Sequence, residues 1–366
     1  MTSIIDFNQM GDPLSAGDLA RLKMQSFPDE LIVGSFDVHG IKTRLVTDSP
    51  AIAGAVGQML SAFKLDDNNG SSAPDIEVLL FTVDALDEKT AFVPADTPML
   101  YDWDAIKIYY SENRRYLQMG SQAWVCADIK ERLAAGFVQR GIVESGWLIA
   151  HQVFFPLWGQ LLKECGIYPF HAAGLVKNGK ALLFPGRSGS GKSTLTLRLV
   201  KSGYRLLGDD MVFLRQVNGK VEALSFPEDI NVTGKTLDLF PDLAKVKNFT
   251  ENKLRQKSSF SIEELYPSCV TDSEVPSLLV FPEITGSRNT VLLPMSRTEA
   301  LAFCMRFGLF FIDPSTTGKN FELLSQLVRQ AGCHRMRSGT DQEPLERAVD
   351  GLLKQEPNQS AGEREE

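Results

Sequence analysis

"FPGRSGSGKSTLTLRLVKSGYRLLGDDMVFLR", residues 184–215, carries a glycine-rich loop with one lysine, an apolar-periodic run, and then two adjacent aspartates. Gly186-Arg187-Ser188-Gly189-Ser190-Gly191-Lys192-Ser193 satisfies G-x-x-x-x-G-K-[ST]. The chemistry explains the residue types. Glycines let backbone N–H groups curl around phosphate oxygens, and a helix starting near Lys192 points its positive end at the same anion. Lys192 then reaches the outer phosphates, and the Ser193 hydroxyl suits an Mg²⁺ ligand. Thr194 follows on the same turn.

The flanks fit that reading. Ala181 to Phe184 read as a buried strand. Leu195, Leu199 and Val200 give the helix an apolar face, and Gly203 stands where a helix ends. "RLLG" reads as the next strand, which puts Asp209 and Asp210 at its end or in the turn beyond. Two carboxylates there suit two tasks, holding Mg²⁺ and accepting a proton from an attacking hydroxyl. An exposed turn is the plainer alternative. Like charges so close disfavour double ionisation unless a cation such as Lys192 offsets them.

The bulk properties set bounds. The 366 residues are enough for two domains or one large one. A net charge of −8 argues against a general nucleic-acid binder. Cys126, Cys165, Cys269, Cys304 and Cys333 show no C-x-x-C pair, which reads as reduced thiols. The opening residues lack a basic segment followed by an apolar run, so they do not read as a secretory signal. "LAFCMRFGLFFI" is too short to span a membrane and holds an arginine. The expected location is the cytoplasm, without membrane or nucleic-acid partners.

Along the chain, residues 31–47 predict a hairpin turning at His39-Gly40, and Asp48-Ser49-Pro50 predicts a helix start. "IEVLLFTV", "AIKIYY", "RYLQMG" and "AWVCAD" read as short strands. A long apolar helix is expected over 143–165, interrupted at Pro156. The expected organisation is a mixed α/β domain over 1–145, a second domain over 146–354, and a disordered polar tail over 355–366. Asn178-Gly179 predicts a second hairpin. "LLVFPEI" (278–284) and "NTVLLPM" (289–295) read as buried strands, and "EALAFCMRFGLFF" as an amphipathic helix covering the core.

The stretch 171–215 resembles the C-terminal catalytic domain of bacterial HPr kinase/phosphorylase and the looser set of related kinases. More distantly, it is similar to the nucleotide loop of ATP-dependent phosphoenolpyruvate carboxykinase. The resemblance implies an α/β kinase domain of the HPr kinase/carboxykinase type, with ATP and Mg²⁺ as cofactors and a hydroxyl-bearing substrate. It implies that His171 lies near the phosphates, that Lys192 is the loop lysine, and that Ser193 holds Mg²⁺. Asp210, eighteen residues after Lys192, would be the base toward the substrate, with Asp209 as its support and a metal ligand. The family's oligomers carry an expectation of self-association. Members have acidic residues where Arg187 and Thr194 stand here, and an E-I-R-G-L-G signature where this chain has "SFPEDINVTGK". These departures point away from a reverse phosphorylase activity and from HPr as the substrate. Glu228 is the residue of that segment placed as a metal ligand.

Lys253, Arg255 and Lys257 alternate just before a helix expected to begin at Ser261. They suit a clamp on a transferring phosphoryl group or an acidic substrate, or else a solvated face. His39, His151 and His334 read as structural. Two readings of function stay open: a kinase acting on a hydroxyl of a protein, peptide or small molecule, and a nucleotide-gated binding module. A carboxykinase fits less well, because no dicarboxylate-binding arginine cluster is found. ATP, GTP and pyrophosphate remain alternatives as donor.

Overall fold

Val38 and Ile41 are partners across His39-Gly40, so the first expected hairpin forms between β1 (Ile32–Val38) and β2 (Ile41–Thr47). The computed structural model describes residues 31–66, 73–86, 92–103, 105–252, 257–308 and 313–354. The chain divides into two compact units, Met1–Ile167 with Phe311–Thr316, and Tyr168–Phe310 with Thr317–Glu366.

In the first unit, α1 (Pro50–Met59) starts where Asp48-Ser49-Pro50 predicts. The Ser49 hydroxyl accepts from the Ile52 amide and so satisfies one of the helix's free donors. The remaining strands are β3 (Ile76–Val83), β4 (Met99–Trp103), β5 (Ile106–Ser111), β6 (Arg114–Met119), β7 (Ala123–Asp128) and β8 (Leu133–Gln139). They make one sheet in the order β1-β2-β3-β8-β7-β6-β5-β4. Only the β2–β3 and β3–β8 pairs are parallel. β8 was not expected, because "LAAGFVQ" is built largely from small residues rather than the β-branched ones that mark a strand.

The predicted 143–165 helix is three successive pieces. A turn at Gly146–Leu148 runs through a π-helical stretch, Ile149–Phe154, into α2 (Phe155–Glu164). Pro156 stands in the first turn of α2. It has no N–H to donate and its ring crowds the carbonyl four residues back, so the regular ladder loosens just before it. The unit boundary falls after this helix, at Ile167/Tyr168, not at 145/146. The packing explains the correction: Trp158 is fully buried and its indole N–H donates to Thr43 Oγ1 of β2 at 3.1 Å.

The second unit opens with β9 (Tyr168–Phe170), β10 (Ala172–Lys177) and β11 (Lys180–Pro185), the last two paired across Asn178-Gly179 as expected. After β11 come α3 (Lys192–Lys201), β12 (Arg205–Gly208), β13 (Val212–Val217), β14 (Lys220–Leu224), β15 (Ile230–Val232) and α4 (Gly234–Leu239). The remainder is β16 (Thr250–Asn252), β17 (Lys257–Phe260), β18 (Ser273–Glu274), β19 (Pro276–Ile284), β20 (Val291–Pro294), α5 (Arg297–Gly308), α6 (Thr317–Gln330), β21 (Gly332–Ser338) and α7 (Gln342–Lys354). A six-stranded mixed sheet, β12-β10-β11-β19-β21-β20, is the centre. Smaller antiparallel sheets, β18-β14-β13-β9 and β15-β17-β16, pack with it.

Alternation along β11 divides the core. Leu182 and Phe184 pack with Leu195 and Leu199 of α3, while Ala181 and Leu183 pack with Leu324 and Leu327 of α6. Gly203 ends α3: its amide bonds to Val200 O and the Tyr204 amide to Leu199 O, closing the last turn. α5 covers the core as expected, through buried Ala300 and Cys304. Two expectations fail. β20 is an edge strand among the described residues, with Val291 and Leu293 exposed on its outer face while Leu292 between them packs on the core. The helix expected from Ser261 is a single 3₁₀ turn, Ile262–Glu264.

Two chain crossings in this unit bring distant polar residues together. His171 links β9 to β10, and residues 209–211 link β12 to β13; each link passes between the four-stranded and six-stranded sheets. Val212 pairs with Phe170 and Gly208 with Gly174, so the two links lie side by side. The approach requires glycine. A Cβ on Gly208 would stand 2.0 Å from Met211 O, and one on Gly174 2.7 Å from Val212 Cγ1. Gly208→Ala is therefore expected to cost about 1–3 kcal/mol in urea unfolding, as overpacked sites do. Gly318→Ala, at an open position of α6, serves as the neutral or stabilising control.

Candidate functional site

The loop between β11 and α3 has the backbone the motif requires. Gly189 and Gly191 both lie in the left-handed region, at φ +83° and +91°. Gly191 is the residue that precedes the first turn of α3, and its carbonyl accepts the Leu195 amide at 2.9 Å. Gly186 faces Ser190 so closely that a Cβ there would meet Ser190 Oγ at 2.6 Å. Arg187 is exposed at the loop's apex, and its carbonyl accepts the Ser190 amide at 3.1 Å.

Lys192 is the hub. Its side chain is 4% exposed, and Nζ lies 2.7 Å from Gly186 O and 3.2 Å from Arg187 O. The same nitrogen is 3.1 Å from His171 Nε2 and 3.3 Å from Asp210 Oδ1. His171 Nε2 is itself 3.6 Å from Asp210 Oδ1. Three residues far apart in the chain, expected near one another from sequence, thus converge within hydrogen-bond or ion-pair reach. Asp209 and Asp210 do form a bend between β12 and β13, with Asp209 buried and Asp210 part-exposed beside Lys192.

The two aspartates occupy different media. Asp210 is 46% exposed and lines the cavity over the loop. Asp209 is buried and accepts the Ser193 hydroxyl on Oδ2 at 2.6 Å. Burial pushes Asp209 up to about 6, against the pull of the Ser193 and Thr196 hydroxyls; Asp210 adds to the rise and Lys192 opposes it. Thr196 Oγ1 stands near enough to draw that carboxyl down, yet neither it nor Asp209 Oδ1 completes a hydrogen bond of good geometry. A carboxylate with an unsatisfied buried oxygen, bonded to a loop hydroxyl, has the chemistry of a hard-cation ligand. Among the described residues no three His, Cys, Asp or Glu side chains cluster as a metal cage.

A cavity of about 470 Å³ opens over the loop. Ser188, Gly189, Gly191 and the first turn of α3 (Lys192, Ser193 and Thr194) form one side. Lys257 lines it too, whereas Lys253 and Arg255 lie outside the described residues. Glu228 is half-buried after β14, and, like Asp209, it does not line the cavity. Sequence reasoning missed Thr233, Lys235 and Thr236, which line the cavity from the start of α4. The Gly-Lys-Thr order at 234–236, which echoes the loop itself, was the available signal. It also missed Ile284 and the Ser338–Thr340 turn, which no local pattern marks.

No family model matches the chain, and no curated protein matches it. Among solved structures, the HPr(Ser) kinase/phosphatase from Coxiella burnetii is similar over 50% of this chain and 95% of that one, at 14% identity and a TM-score of 0.29. A likeness at that level is a distant structural similarity and says nothing of activity. Among the described residues, no helix is long and apolar enough to cross a membrane.

The raised Asp209 carboxyl makes stability depend on pH. Between 3.8 and about 6 the folded chain keeps a proton that the unfolded chain has released, so this group's contribution falls as pH rises through that window. Asp209→Asn is expected to unfold at a higher temperature than the parent at neutral pH. The difference should vanish toward about pH 4, as followed by thermal melts across that range.

Proposed function

We propose that this chain is a kinase of the HPr-kinase-like type, transferring the γ-phosphoryl group of ATP to a hydroxyl. The observation that carries the reading is the convergence of Asp210 Oδ1, Lys192 Nζ and His171 Nε2 beside a glycine-rich loop that opens a helix. The loop amides and the positive end of α3 would take the phosphates. Lys192, now bonded to the Gly186 and Arg187 carbonyls, would exchange those acceptors for phosphate oxygens.

Ser193 and Asp209 would hold Mg²⁺, whose charge offsets that of the phosphates when bound. Asp210 is the better base of the pair, because it is the one that reaches the cavity. Its Oδ1 takes the proton of the acceptor hydroxyl as that oxygen bonds to the γ-phosphorus. The bond from the γ-phosphorus to the bridging oxygen breaks, and ADP leaves carrying those electrons. His171 and Lys192 hold the carboxylate toward the acceptor. Positioning and charge do the work. The acceptor is a serine of a protein or peptide, or a small molecule, and the first unit is the candidate for recognising it.

Incubation with Mg²⁺, γ-labelled ATP and a cell extract tests the assignment. Asp210→Asn is expected to lower label transfer by about 100-fold or more while nucleotide binding stays within a few-fold. Lys192→Ala is expected to lose both. Transfer by Asp210→Asn at the parent rate would overturn Asp210 as the base.

A further inference from the structure

We propose that the nucleoside of the donor is held by apolar contact with Leu239 and Ile284, so that its base is read only weakly. This deepens the kinase reading and rests on the loop between β11 and α3 being a phosphate cradle. Leu239 is 56% exposed and Ile284 62%, an exposure that aliphatic side chains of this size take up at a cost. Both line the cavity that starts at the cradle, one from the end of α4 and the other from the end of β19. Ile284 also abuts the cradle itself, since a Cβ on Gly191 would stand 3.3 Å from its Cδ1 and Cγ1. The apolar wall therefore begins one residue before Lys192.

Two backbone amides of the adjoining Ser338–Thr340 turn are already engaged. The Gly339 amide donates to Thr290 Oγ1 at 3.0 Å, and the Thr340 amide to Ser287 O at 3.0 Å. The carbonyls of Gly339 and Thr340 accept from the Arg198 guanidinium at 2.9 and 2.6 Å. Arg198, on α3, thus pins this wall to the helix that carries the cradle. An amide has one proton, so neither of these two N–H groups is left to read a base edge. Discrimination of roughly 10⁴-fold or more needs a site built to hydrogen-bond the substrate; apolar contact supports only about 10–200-fold.

Calorimetric titration of the full chain with ATP, GTP and inorganic tripolyphosphate, each with Mg²⁺, decides the matter. ATP and GTP are expected to bind within about a hundredfold of each other, both more tightly than tripolyphosphate. Leu239→Ser and Ile284→Ser are each expected to weaken both nucleotides by about tenfold and leave tripolyphosphate unchanged. Leu239 closes a short helix and is largely exposed, so its replacement keeps the test valid if the Ile284 variant fails to fold. The inference is overturned if nucleotides bind no better than tripolyphosphate, if the serine variants bind nucleotides as the parent does, or if ATP and GTP differ by more than about a hundredfold. It also falls if the variants lose tripolyphosphate equally, since the side chains then serve the cradle. Failure of the parent chain to bind tripolyphosphate at all would instead overturn the cradle.

Discussion

The second unit depends on one close approach, where Gly174 and Gly208 pair and the chain twice passes from one sheet to the other. At one crossing stands His171, and at the other Asp209 and Asp210. Their neighbourhood follows from strand register, with Phe170 against Val212 and Gly174 against Gly208. The space there is too small for a Cβ. A packed core transmits such a constraint faithfully, because side chains around it have nowhere to relax. The hydrogen bonds of Lys192 then close the group from the other side, since β11 is the direct neighbour of β10.

The adjacent aspartates show how burial separates two chemically identical groups. Asp209 is 4% exposed, so its charged form is disfavoured unless a cation or donors attend it. Asp210 reaches the cavity and has Lys192 and His171 beside it. One carboxylate is thereby suited to an ion and the other to a proton.

The first unit is held differently. Its strands bury Trp124, Phe137 and Phe81, with Phe92 stacked on Trp124 at 5.4 Å. Arg115 and Asp313, each 1% exposed, form a buried ion pair in which Nη2 donates to Oδ1 at 2.8 Å and Ser315 accepts a further bond. Asp313 is held below the usual carboxylate range by the Arg115 guanidinium and the Ser315 donors, although burial opposes this. Buried Lys163 is pushed down to about 8 by burial, against the pull of Asp313. An ion pair at this depth fixes the 313–316 segment in place more than it adds stability.

Local signals were legible wherever the physics is local. Both two-residue hairpins, the Ser49 helix start, the glycine loop and the end of α3 at Gly203 follow from neighbours within a few residues, so sequence alone determined them. The grouping of His171, Lys192 and Asp210 was implied by the family resemblance over 171–215, not by any local pattern. What the sequence could not supply was the set of facts that depend on partners distant in the chain. β8 became a central strand because β3 and β7 flank it, and the helix before Ile167 joined the first unit because Trp158 found Thr43. Val291 and Leu293 of β20 face outward while Leu292 packs on the core. Lys235, Leu239 and Ile284 meet at one cavity only because a helix end and a strand end are brought there by the fold. Hydrophobic periodicity tells which side of an element is buried but not against what, and that second choice belongs to tertiary packing.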